Sequence, residues 1–273
     1  MQRSPATLVV IFAVPPVPDT GPSSFRVPVS AVAIIPARYQ SSRLPGKALA
    51  DIAGLPMIQH VYRRAAAAAS ISRVIVATDD RRIMEVVLAF GGEAVMTSES
   101  HQSGTDRLAE VAAALACDVV VNVQGDEPVL EPATIDAAVE PFTTTPGLEM
   151  STLRRRIVDD AERTNPNVTK VVVDGGGFAM YFSRAPIPFT RQGQPTAAAW
   201  AHVGLYVYRR ETLLRLAALP QTALERAEAL EQLRALEHGI RIQAIDTTHE
   251  SIGVDTPEDL ERVRALLSPA ITR

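Results

Sequence analysis

The hydrophobic positions of the chain fall into short apolar runs that alternate with longer stretches of helical spacing. Ala31–Ile35 is one such run; it stops at Pro36 and predicts a buried strand. Arg73–Ala77, Glu93–Met96 and Asp118–Val123 predict further strands, the first and last of them strongly β-branched. Between them, Pro56–Ala69 carries Ile58, Val61 and Tyr62 at helical spacing, Arg81–Phe90 follows the acidic cap in Thr78-Asp79-Asp80, and Asp106–Ala116 is a third helix. Strands alternating with helices of this length predict an α/β fold, a parallel sheet with crossovers. Such sheets bind ligands outside the carboxyl ends of their strands, which directs attention to the residues after Ile35, Ala77 and Val123.

From Met150 to about Arg209 the pattern is richer in strands: Val168–Val173, the Gly175-Gly176-Gly177 turn, Phe178–Phe182 and His202–Tyr208 predict antiparallel pairing or an inserted subdomain. Ala223–His238 reads as one long helix, Arg241–Ile245 as a last strand and Thr256–Leu267 as a closing helix, whose start holds capping oxygens, Pro257 and first-turn acids. The first thirty residues differ. Six prolines punctuate them, and the apolar run Leu8–Val14 is short for a secretion signal and lacks a following cleavage site, so the expectation is a disordered extension or an upstream start codon.

Composition narrows the class. The chain has 273 residues, 47% hydrophobic and 21% charged, with a formal net charge of -4. That balance suits a globular core and argues against a protein that coats nucleic acid or anionic lipid. No apolar run approaches the length of a membrane span. A lone cysteine, Cys117, excludes an internal disulfide and a Cys-rich zinc cluster, and the expectation is a cytoplasmic protein. Of 27 basic residues only Lys47 and Lys170 are lysine; both are candidates for places that need a compact ammonium.

Candidate chemistry sits at the strand ends. Arg38, Arg43 and Lys47 lie in a Gly/Pro-containing loop after the first strand, where cations and backbone N–H groups can wrap a polyphosphate, although the spacing is not that of a Walker loop. Val123-Gln124-Gly125-Asp126-Glu127-Pro128 ends a strand in two carboxylates, and Asp126 can hold Mg²⁺ against substrate phosphates or simply form a turn. Asp255 in Gly253-Val254-Asp255-Thr256-Pro257 is a second such aspartate, or an N-cap. Sequence spacing does not establish that the two converge. His101-Gln102-Ser103-Gly104-Thr105-Asp106-Arg107 is a polar helix entrance suited to a base, a ribose or a cap. On their own, Glu225, Glu228, Glu231 and Gln232 read as a solvated helix face.

Together and in this order, IIPARYQSSRLPGKAL, IVATDD, HQSGTDRLAEV, VNVQGDEP, NPNVTKVV, FAMYFSRAPIP, HVGLYVYRR, LERAEALEQLR and GVDTPEDLERVR resemble the CMP-Kdo synthetases, the 3-deoxy-manno-octulosonate (Kdo) cytidylyltransferases. The resemblance spans nearly all of Ala31–Arg264. It implies a Rossmann-like nucleotidyltransferase fold over 31–273, with sugar-binding and dimerisation elements in about 150–245, and a homodimer that joins CTP to Kdo for lipopolysaccharide synthesis. By the same resemblance, Ala37, Arg38, Arg43, Lys47, Thr78, Asp79, Ser103, Gly104 and Arg107 serve the nucleotide. Asp126 and Asp255 bind Mg²⁺, and Gln124, Arg184, His202, Tyr206, Glu231 and Gln232 form the sugar pocket. Arg43, Lys47, Asp126 and Asp255 carry catalysis, with no nucleic-acid or membrane partner. The chain departs from the family pattern in a shorter 188–201 stretch, in Ala201 where a basic residue often precedes the histidine, and in Ala223 for proline. These leave open a different 2-keto acid sugar; a non-catalytic CTP-binding homologue is the rival from another class.

Overall fold

The structure is a computed structural model and describes residues 27–40, 43–101, 103–250 and 252–268. The chain runs through β1 (Ala31–Ala37), a small hairpin of β2 (Asp51–Ile52) and β3 (Leu55–Pro56), α1 (Met57–Ala66), β4 (Ile71–Thr78), α2 (Arg81–Ala89), β5 (Ala94–Met96), α3 (Gly104–Ala113) and β6 (Val119–Asn122). It continues as α4 (Pro132–Val139), α5 (Pro141–Thr144), β7 (Met150–Arg156), α6 (Asp160–Thr164), β8 (Lys170–Val173), β9 (Ala179–Ser183) and β10 (Trp200–Arg209). There follow α7 (Arg210–Ala218), α8 (Ala223–Glu228), α9 (Gln232–Glu237), β11 (Ile242–Asp246) and α10 (Pro257–Leu267).

One mixed sheet organises these elements, in the order β11-β7-β10-β6-β1-β4-β5, with β8 and β9 branching from β10 as a hairpin. β1 is parallel to β4 and β6, and β4 to β5. Only β10 on this path runs against its neighbours β6 and β7. The central strands are covered on both faces, which is why they read as unbroken apolar runs. Ile58, Val61, Ile83, Val87, Ile135 and Phe142 from α1, α2, α4 and α5 cover one face. Leu108, Val111, Leu213, Leu216 and Leu233 from α3, α7 and α9 cover the other. The fold is therefore the expected mainly parallel sheet between helical layers, and the strand-rich 150–209 region joins that same sheet.

Several boundaries differ from the sequence reading for local reasons. β1 runs through Pro36 to Ala37: Ile34 offers its carbonyl to Val123 N, so Pro36, two residues on, turns its missing N–H toward the side where β6 pairing has ended. α3 starts two residues early because Ser103 and Asp106 form a reciprocal capping box. α10 and α2 begin where their caps predicted, at Thr256 and Asp80. β7, inside the strand-rich region, and α7, which follows it, have no counterpart in the sequence reading. Ala223–His238 is two helices, not one, broken at Ala229, which stands in the left-handed region at φ 50°.

Val27–Ser30 are tied to the body, Val27 N to Thr143 O and Ser30 N to Asp118 Oδ2; the expectation for the segment before them lies outside the described residues. Among the described residues no helix is long and apolar enough to cross a membrane.

Candidate active site

The carboxyl ends of β1 and β6 open onto one edge of the sheet, and the turns after them approach closely. Gly125 shows how closely: a Cβ on it would stand 2.8 Å from the Pro36 carbonyl oxygen, so this crossing accepts only glycine unless the backbone moves. In the loop after β1, Gly46 has φ 71° and lies under the Tyr39 ring, with its N–H bonded to the Tyr39 carbonyl. This tight closure starts the turn that projects Lys47. A third segment returns from far along the chain. α10 packs Leu260 and Val263 against Ile52 and Met57 beside the β2–β3 hairpin, and the Val254 N–H bonds the Asp126 carbonyl.

These three segments converge at one nitrogen. Lys47 Nζ donates to Asp126 Oδ2 at 2.5 Å, to Asp255 Oδ1 at 3.0 Å and to the Val254 carbonyl at 3.2 Å. Arg43 reaches the other oxygen of Asp255 at 2.9 Å. Burial pulls the Lys47 pKa down, but the charge and hydrogen bond of Asp126, joined by those of Asp255, outweigh it and hold the ammonium above its ordinary value. Asp255 is thus more than the cap of α10, a task done by Thr256 with Asp259.

The residues assigned to the nucleotide form the rim of the same edge. Arg38 is exposed and crosses to the His101 carbonyl at 3.2 Å, which links the loop after β1 to the α3 entrance. Ser103 is engaged as the α3 N-cap, and Gly104 lies against the Pro36 ring position. Ala37 is buried at the end of β1. Two of the assigned residues face inward instead. Thr78 is fully buried and accepts the Asp80 N–H, while Arg107 is fully buried and donates to Asp79 Oδ2 at 2.5 Å and to Thr97. Asp79, half-buried, is the more exposed member of that pair.

A cavity of about 140 Å³ adjoins the β6 turn, lined by Gly104, Thr105, Asn122, Gln124, Tyr206 and Glu231 together with Gln232, Tyr208, Met150 and Leu216. Four of the six expected sugar-pocket residues therefore meet. Gln124 is oriented by the Gly204 carbonyl. Glu231 Oε1 is buried without a hydrogen bond, and burial raises its carboxyl pKa against the pull of Thr105, Arg234 and Ser103. The other two expected residues stand behind the cavity. His202 bonds Thr152 through Nε2 and packs on Tyr206 at 5.3 Å; burial pushes its pKa down to about 3. The Arg184 guanidinium donates to the Glu228, Pro166 and Ala229 carbonyls.

The solvated-face reading of the late helices is overturned. Glu225 and Gln232 are buried, and Glu228 accepts from Ser183 Oγ and the Arg184 N–H. Thr105 and Asn122 were missed as lining residues. The signal for Asn122 was a polar residue closing the run Val119–Val121. Two larger grooves, about 450 and 560 Å³ around Arg156, Thr247 and Thr248, contain none of the expected site residues.

The chain is similar to known proteins over most of its length. The family described as cytidylyltransferase matches residues 32–242. The 3-deoxy-manno-octulosonate cytidylyltransferase of Trichlorobacter lovleyi is 56% identical over 243 residues, 85% of this chain and 96% of that protein. The protein of the same name from Solibacter usitatus is 52% identical over 245 residues, 90% of this chain and 97% of its own. A solved structure of CMP:2-keto-3-deoxy-manno-octonic acid synthetase complexed with CTP superposes with a TM-score of 0.84 at 48% identity, over 87% of this chain and 98% of that one. A 4-diphosphocytidyl-2C-methyl-D-erythritol synthase shares the fold, at a TM-score of 0.59 and 17% identity over 88% of this chain and 100% of the other. With its strand-end cation cluster, its polar cavity and near full-length likeness, this chain belongs to the 3-deoxy-manno-octulosonate cytidylyltransferase family.

Proposed function

We propose that this enzyme transfers the cytidylyl group of CTP to Kdo, giving CMP-Kdo and pyrophosphate for lipopolysaccharide synthesis in the cytoplasm. The observation that carries the reading is the meeting of Lys47, Asp126 and Asp255 from three distant segments beside a polar cavity on the same strand-end turn. In the reaction the anomeric hydroxyl oxygen of the sugar forms a bond to the α-phosphorus and releases its proton to water, and the bond from that phosphorus to the pyrophosphate oxygen breaks. Such a displacement depends on positioning and on charge stabilisation rather than on a protein nucleophile. Lys47 and Arg43 are placed to neutralise the triphosphate and the leaving pyrophosphate. Gln124, Tyr206, Glu231 and Gln232 orient the sugar, and Glu231 Oε1, which makes no hydrogen bond and has Arg234 at 3.8 Å, is an acceptor for a sugar hydroxyl. Arg184 and His202 act on that pocket from behind, through the α8–α9 junction and the Tyr206 ring.

The two carboxylates fit Mg²⁺, which uses one or two protein carboxylates and takes its other ligands from water and substrate phosphates. Asp126 and Asp255 already point at one position, that of a cation. When bound, the metal supplies charge neutralisation at phosphate oxygens and lowers the pKa of a coordinated hydroxyl. The homodimer belongs to the same proposal: Val158, Met180 and Phe189, all within the 150–199 region, are exposed apolar side chains, and Met180 lies on β9, whose one strand partner among the described residues is β8.

The deciding experiment measures pyrophosphate release from CTP and Mg²⁺ with Kdo, with N-acetylneuraminate and with no sugar. Release that depends on Kdo establishes the reaction. Release with the other acid sugar alone keeps the chemistry and replaces the substrate. Silence throughout rejects the enzyme.

A further inference from the structure

We infer that Lys47 is a built-in stand-in for the divalent cation, so that the metal enters the site together with the nucleotide and not before it. The inference rests on the proposed metal role of Asp126 and Asp255 and assigns the lysine a task of its own. All three ammonium protons are already used, on Asp126, Asp255 and the Val254 carbonyl. Arg43 holds the second Asp255 oxygen. Two carboxylates thus face two cations, and the cluster is electrically balanced without any metal.

A free divalent ion meets no net attraction here. It has to expel the ammonium from between the carboxylates, and the expelled group then remains beside a dication on a half-buried loop, where screening by water is weakened. A triphosphate removes that obstacle. Its oxygens give Lys47 and Arg43 new anionic partners, which vacates the carboxylates at the moment the nucleotide brings further metal ligands. Lys47 is therefore the residue that couples the two ligands. Because binding coupling is reciprocal, CTP tightens the metal by the factor with which the metal tightens CTP. Among the described residues no cluster of three or more His, Cys, Asp or Glu offers a metal cage by itself, so the surplus affinity has to come from the nucleotide.

The test is direct binding of Mn²⁺, followed by the loss of its free electron paramagnetic resonance signal, to the full chain without nucleotide. Lys47→Met, which keeps the stem and loses the charge, is expected to bind Mn²⁺ about tenfold tighter than the parent protein, within the usual range of such couplings. Lys47→Arg is expected to stay as weak as the parent. Adding Asp126→Asn to Lys47→Met should erase the gain. Lys47→Gln is the second replacement should methionine disturb the fold, as judged by thermal unfolding. Water-proton relaxation of Mn²⁺ with CTP, with and without the parent protein, reports metal bound in the ternary complex. If that enhancement is present while Lys47→Met and Lys47→Gln bind Mn²⁺ no better than the parent, or the gain survives Asp126→Asn, the stand-in role is overturned and the metal reading stands. If neither free Mn²⁺ nor its CTP complex binds any of the proteins, both are overturned.

Discussion

Three residues show how single positions carry the chemistry and the fold. Asp126 presents its carboxylate to the cation position, while its backbone carbonyl separately holds the Val254 N–H. Asp126→Asn keeps the volume and the backbone bond and removes the charge. Turnover should fall by about 10²–10³-fold or more, with little change in melting temperature, as steady-state kinetics and thermal unfolding would show. Gly125 is fixed by steric contact. Gly125→Ala should cost about 1–3 kcal/mol, because the obstructing atom is the Pro36 carbonyl rather than a side chain that can swing away; denaturant unfolding measures it. His202 sets a pH dependence. Its folded pKa of about 3 lies below the ordinary 6.5, so between those values the unfolded chain binds a proton that the folded one refuses. Its contribution is complete above about pH 6.5 and is lost as the pH falls from there toward 3. In His202→Gln, melting temperature should respond less to acidification from pH 7 to 5 than in the parent.

Among the elements, the α8–α9 junction is one that the sequence does not reveal. Ala229 is a strong helix former and gives no local sign of a break. The break is imposed from outside: Arg184 takes the carbonyls of Glu228 and Ala229, and Glu225 forms a buried bidentate pair with Arg234 on the next helix. That pair folds α8 against α9 and presents Glu231 and Gln232 to the cavity. Removing one partner strands a buried charge, so Arg234→Leu should lower stability by roughly 3–5 kcal/mol, and Arg234→Leu with Glu225→Leu should regain most of it. The double variant should still lose sugar affinity more than CTP affinity, which a comparison of the two KM values would reveal. β1, β4 and β6, by contrast, were legible because burial on both faces leaves an uninterrupted apolar run. The starts of α2 and α10 were legible because a cap is a local bond between neighbours.

β9, which carries the exposed Met180, and the strands that end beside the site belong to one continuous sheet. If the exposed Met180 and Phe189 lie in the proposed dimer surface, Met180→Lys with Phe189→Ser should shift the protein toward monomer in light scattering, with the central core unaffected. Sheet class, helix caps, the strand-end positions of Lys47 and Asp126, and membership in the family were all determined by the sequence alone, since each depends on periodicity, on neighbouring residues or on motif order. The meeting of Asp126 with Asp255 around one ammonium, the inward turn of Arg107 and Thr78, and the retreat of Arg184 and His202 behind the pocket were decided only by tertiary structure. Each of these depends on partners far apart in the chain, brought together by the packing of α10 on the β2–β3 hairpin and by strands that pair out of sequence order, and no local spacing encodes such contacts.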